Sequence, residues 1–163
     1  MTSETQAKKI TTLSFLLVFV ALLGLLDSTY LSLSTLKGTS LICGELGDCD
    51  GVISSQYSRI LGIPVAYLGF FYYATFFFLS LTVATFKKSG LIPLLFLLSF
   101  VGIGASAWFV FAQLVLLQSV CVYCMISAGT STTLFLVTLV MWRNSRKNSA
   151  HFPATDSKES EPV

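Results

Sequence analysis

The chain has 163 residues, of which 54% are hydrophobic and 11% charged, and its formal net charge is +2. Charges this sparse, gathered into clusters that leave long stretches with none, exclude a disordered chain and an ordinary soluble domain. The small basic excess lies beside hydrophobic runs, not in a patch interleaved with exposed aromatics, which argues against nucleic acid as a partner.

A hydrocarbon core of roughly 30 Å takes about 20 apolar residues per helix, so a chain of this length holds four spans and short connections. The first apolar run extends from Ile10 to about Ser34. It follows Lys8 and Lys9 as a signal sequence would, but it outruns an h-region and lacks a small-residue cleavage site, so it reads as an uncleaved anchor. Asp27 is the one acid within a span, and an intramembrane carboxylate is a functional candidate by default.

The connection from about Thr35 to Pro64 is longer than two adjacent helices require, and loops of that length in compact domains usually carry function. It holds Cys43 and Cys49, separated by Gly44, Glu45, Leu46, Gly47 and Asp48, a flexible acidic stretch. After Cys49 or Asp50, the residues Val52, Ile53, Tyr57, Ile60 and Leu61 recur at helical spacing until Gly62 and Pro64. The pattern predicts a short amphipathic helix lying on the membrane surface or capping the bundle.

Val65 to Phe86 is the second run, closed by Lys87, Lys88, Ser89 and Gly90. Leu91 to about Leu117 is the third, where Gly102, Gly104, Ala105 and Ser106 form a small-residue face for close helix packing. The fourth runs from about Ser119 to Trp142. A backbone in lipid must satisfy its own hydrogen bonds, so all four runs are expected to be helical. The expected fold class is therefore all-α, an integral membrane four-helix bundle with an extracytoplasmic loop and a short surface helix. Residues 1–142 form the membrane domain. Residues 143–163, polar and with Pro153 and Pro162, read as a disordered cytoplasmic tail.

Four spans bring both termini to one side. Lys8, Lys9, Lys87, Lys88, Arg143, Arg146 and Lys147 flank the ends that this threading puts together, so the positive-inside rule makes that side cytoplasmic. All four cysteines fall on the other side, where oxidising conditions make disulfide chemistry plausible.

Cys121 and Cys124 form a CxxC motif at the start of a helix. There, free backbone N–H groups and the helix dipole favour a thiolate on the first cysteine. The second lies about one turn deeper, toward the lipid phase. With the loop pair Cys43 and Cys49 on the same side, two dithiols form a candidate relay in which electrons enter at the loop and leave at the helix. Two alternatives remain open at this point. One is a pair of structural disulfides, and the other is a transporter or carrier that binds a soft metal through thiolates. His151, the single histidine, lies on the opposite side and adds nothing to a metal site.

At these residues the chain resembles the vitamin K epoxide reductase family, whose bacterial members do the work of the DsbB disulfide-generating proteins. The resemblance is carried by Cys43, by Cys49 to Ser55, by Gly62 to Gly69 and by Cys121 to Cys124, with the loop pair ahead of the CxxC. It implies a quinone-dependent thiol oxidoreductase that makes disulfides, with menaquinone, ubiquinone or a similar quinone as acceptor. Its other partners would be membrane lipid and a separate thioredoxin-like thiol protein. The family pattern makes Cys124 the cysteine that reacts with quinone and Cys121 its exchange partner. It makes Cys49 the loop cysteine that joins Cys121, and Cys43 the one that meets the external protein. Ser55, or its neighbour Ser54, would act at the quinone oxygen. Phe70, Tyr73, Phe109, Phe111 and Tyr123 are candidate pocket residues. Ala128 stands where the vertebrate enzymes have a pocket tyrosine, a departure that leaves open whether vitamin K epoxide is a substrate. Some bacterial relatives carry a fused thioredoxin-like domain after a fifth span; this sequence is expected to use a separate one.

Overall fold

A computed structural model describes residues 3–39, 48–86 and 89–149. Five helices dominate these residues: α1 (Ser3–Lys37), a short α2 (Cys49–Ser54), α3 (Val65–Phe86), α4 (Ile92–Phe111) and α5 (Val122–Ser149). Four of them contain stretches long and apolar enough to cross a membrane, at Lys8–Lys37, Val65–Phe86, Ile92–Leu117 and Val122–Arg146. The all-α membrane bundle expected from the apolar runs is the fold observed.

The faces are sorted as lipid solvation demands. Phe15, Phe19, Leu26, Phe71, Phe78, Leu97 and Val101 point outward, since hydrocarbon tails solvate such side chains as well as a core does. Hydroxyls on the same helices bond back to the carbonyl four residues earlier, as from Thr12 to Lys8, Thr75 to Phe71, Thr82 to Phe78 and Thr132 to Ala128. Without water, that local bond satisfies the hydroxyl.

Inside, α1 packs chiefly on α3 and α5, and α4 packs on α5. Leu17, Ala21, Phe76, Ile92, Leu95, Leu134 and Met141 form the main core. The small-residue stretch of α4 does its packing at Gly102, where a Cβ would overlap the Tyr72 hydroxyl and the Ser131 Oγ. Gly104 has nothing around it, so the close approach needs only one of the two glycines. At one end of the bundle Trp142 stacks on Phe96 with centroids 4.7 Å apart, and the Arg146 guanidinium lies 4.6 Å from the Trp142 ring.

Three local features depart from the sequence pattern. The surface helix is shorter than Val52 to Leu61: it ends at Ser54, followed by a 3-10 turn at Gln56–Ser58. Its backbone is diverted by hydroxyls, because Ser55 and Ser58 both donate to the Val52 carbonyl, at 2.7 and 2.5 Å. The chain then forms a minimal hairpin, β1 (Arg59–Ile60) against β2 (Ile63–Pro64), across Leu61 and Gly62. Both turn residues have positive φ, 52° and 81°, as a two-residue primed turn requires. Glycine takes that conformation without strain, and Leu61 does so with its side chain almost wholly exposed. Second, the third span ends in a π-helical turn, Ala112–Leu117. Third, α5 continues to Ser149, so Asn144 to Ser149 extend the helix beyond Trp142; the remainder of the expected tail lies outside the described residues.

Candidate functional site

The site lies at the end of the bundle where α2, the hairpin and the start of α5 meet. Asp48 caps α2, its Oδ1 accepting the Gly51 N–H at 2.9 Å. This holds Cys49 and Val52 inward, 1% and 4% exposed, against Leu31 of α1 and Cys121. Cys49 is disulfide-bonded, whereas Cys121 and Cys124 are free thiols. Cys43 lies outside the described residues. Three of the four cysteines singled out by the sequence are therefore in one buried cluster, with Cys124 packed at its edge.

Cys121 is fully buried and precedes α5 as its N-cap. Its carbonyl accepts the Met125 N–H at 3.0 Å, and its Sγ accepts the Cys124 N–H at 3.4 Å. A sulfur here takes the place of the oxygen of an ordinary capping residue. The Cys124 thiol, together with backbone N–H groups, draws the Cys121 thiol below its ordinary pKa, outweighing the opposing effects of burial and Asp27. Cys121 thus lies at the helix start that sequence assigned to it, where the Cys124 thiol and the free N–H groups both favour its thiolate form.

Beneath the cluster is a cavity of about 300 Å³ between the four long helices, roofed by Val52, Ile53, Ser58 and Ile60. Cys124 is in its wall. Of the aromatics considered from sequence, Tyr73 and Phe109 line it, while Phe70, Phe111 and Tyr123 do not. Tyr123 instead packs against Tyr30 of α1, with ring centroids 5.1 Å apart and the planes tilted by 45°. The Tyr73 hydroxyl is committed to α5, donating to the Ser127 carbonyl at 2.7 Å and lying 2.9 Å from Thr130 Oγ1. Ala128 is in the wall, where its methyl leaves room that a larger residue would fill.

Ser55 is half-buried at the end of α2 and not among the cavity residues; Ser54 is exposed and bonded to the Asp50 carbonyl at 2.6 Å. Between α2 and the hairpin, the buried hydroxyl that reaches the cavity wall is that of Ser58, 3.3 Å from Ser55 Oγ. Spacing along the chain did not single out Ser58, because only the 3-10 turn brings it under Val52. Gln113 was missed as well, although an amide side chain inside an apolar run is expensive in lipid and signals a buried partner. Asp27 is partly buried, and among the described residues its Oδ2 has no hydrogen-bond partner; its carboxylate opposes a thiolate at Cys121. Among the described residues no group of three or more His, Cys, Asp and Glu is placed to hold a metal ion.

The family profile described as the vitamin K epoxide reductase family matches residues 15–139. The thiol-disulfide oxidoreductase LTO1 of Arabidopsis thaliana is 30% identical over 124 residues, which cover 71% of this chain and 33% of that protein. The chain thus matches about a third of the length of this curated relative.

Proposed function

Because this chain belongs to the vitamin K epoxide reductase family, we propose that it is an integral membrane, quinone-dependent thiol oxidoreductase that generates disulfides in a separate thioredoxin-like partner. The observation that carries the reading is the shared cluster: Cys49 and Cys121 are buried together, and Cys124 continues from that cluster into an apolar cavity. The name of the plant relative, a thiol-disulfide oxidoreductase, supports the same chemistry.

The partner's dithiol reduces the Cys43–Cys49 disulfide, entering at Cys43. The freed Cys49 thiolate attacks Cys121 of an oxidised Cys121–Cys124 pair and expels Cys124 as a thiolate. Cys43 then attacks Cys49, which restores the loop disulfide and leaves both helix thiols reduced. Two electrons and two protons then pass to a quinone beside Cys124, forming quinol and the Cys121–Cys124 disulfide. The cavity fits such an acceptor, being mostly apolar with hydroxyls from Ser58, Ser106 and Ser131 in its lining. In this reading the termini are cytoplasmic and the cysteines extracytoplasmic, following the placement of Lys8, Lys9, Arg143 and Arg146.

Anaerobic mixing of the purified protein with a reduced thioredoxin-like protein and menaquinone or ubiquinone tests this directly. Loss of quinone absorbance should match formation of partner disulfide one for one. Partner oxidation at the rate of protein-free vesicles would overturn the reading.

Asp27 gives a further check on the proton side of the reaction. As a carboxylate it disfavours a thiolate at Cys121, so Asp27→Asn should shift Cys121 alkylation to lower pH. If the same carboxyl delivers protons to the quinone, Asp27→Asn should also slow quinol formation several-fold. An unchanged rate and pH dependence would remove Asp27 from the reaction.

A further inference from the structure

Gln113 is the single side-chain amide between Ile92 and Leu117, and it is 2% exposed. The π-helical turn turns it toward the segment that follows, and three bonds converge on it. Its backbone carbonyl accepts the N–H groups of Gln118 and of Ser119, the latter at 3.1 Å. Its side-chain Oε1 accepts the N–H of Cys121 at 2.7 Å. Gln118 adopts the left-handed conformation, φ 50° and ψ 30°, which reverses the chain from α4 into α5. The Gln113 Nε2 donates back to the Phe109 carbonyl at 3.3 Å, anchoring the amide to its own helix.

A helix start is fully organised when two N–H groups are satisfied. The capping side chain takes the N–H of the third helical residue, and that third residue's side chain takes the N–H of the cap. In α5 the first half is made by Cys121 Sγ and the Cys124 N–H. The second half cannot come from Cys124, whose side chain is a thiol too short to return to the cap. Gln113 supplies it from the neighbouring helix.

We propose that Gln113 is the positioning residue of the dithiol: by accepting the Cys121 N–H it completes the cap of α5 and holds the Cys121 sulfur on the helix N–H groups, beside Cys49. π-Helical turns recur at functional sites, and the one that ends the third span carries the amide. The inference rests on the dithiol chemistry proposed above, but its test needs neither quinone nor partner. The titratable groups that act on Cys121 are Cys124 and Tyr123 of α5 and Asp27 of α1, with disulfide-bonded Cys49 of α2 packed against it.

The full chain in lipid nanodiscs, its loop disulfide intact, is treated with iodoacetamide across a pH range, and the thioether formed at Cys121, which Cys124 cannot displace, is followed by peptide mass spectrometry. Gln113→Met keeps length and loses the acceptor; Gln113→Asn keeps the amide but withdraws it by one methylene. Either should move the midpoint for Cys121 upward by about one unit, so that below it Cys121 reacts roughly tenfold more slowly. Leu95→Ala, which opens the core far from α2, serves as the control for general loosening and should leave the midpoint in place. Wild-type midpoints in both Gln113 variants, or an equal shift in Leu95→Ala, would overturn the proposal. Failure of the thiol:quinone reading would appear differently, as a normal Gln113-dependent profile in a protein that reduces no quinone.

Discussion

Cys124→Ala is expected to lower quinone reduction by several orders of magnitude, to the background rate of thiols with quinone in the same vesicles. Cys124 is the one cysteine of the described residues that lines the apolar cavity, whereas Cys49 and Cys121 are sealed in the cluster above it. A two-electron transfer to an acceptor in that cavity therefore has a single sulfur to leave from. Removing it also takes away the thiol that draws down the Cys121 pKa, so Cys121 should become a weaker nucleophile. Cys43→Ala should behave differently, blocking oxidation of the protein partner while quinone reduction driven by a small dithiol continues. Stopped-flow measurement of quinone absorbance separates the two variants, and full turnover by Cys124→Ala would defeat the proposed route.

The second large effect is expected at Gly102. A Cβ there would overlap the Tyr72 hydroxyl and the Ser131 Oγ, and both of those residues line the cavity. Gly102→Val should push Tyr72 toward the space the quinone would occupy. Overpacking of this kind costs about 1–3 kcal/mol of stability. The functional signature is more specific: KM for quinone should rise about tenfold or more, equivalent to roughly 1.4 kcal/mol of binding, while thiol exchange between loop and helix pairs is retained. Gly104→Val, on an open face of the same helix, should change neither. Equal effects of the two substitutions would mean that the cavity is not where the acceptor binds.

Much of this architecture was legible along the chain, because a bilayer imposes length and apolarity on each span regardless of its neighbours. The four runs, the long first connection and the CxxC at a helix start could all be read one segment at a time. The surface helix was overextended because Val52, Ile53, Tyr57, Ile60 and Leu61 satisfy helical spacing, whereas Ser55 and Ser58 compete for the Val52 carbonyl and break it. Of the five candidate pocket aromatics, only Tyr73 and Phe109 are in the wall. A span that is apolar all round carries no signal for which face meets lipid and which meets protein.

The residue order by itself determined the membrane class, the number of spans and the CxxC at the start of the last span. Only the tertiary structure decided that Cys49 packs on Cys121, that Ser58 and not Ser55 reaches the cavity, and that Gln113 holds the Cys121 N–H. The reason is physical. Hydrophobic length is a property each segment carries alone, while a buried hydrogen bond or a shared cavity exists only once helices distant in sequence have chosen their facing sides.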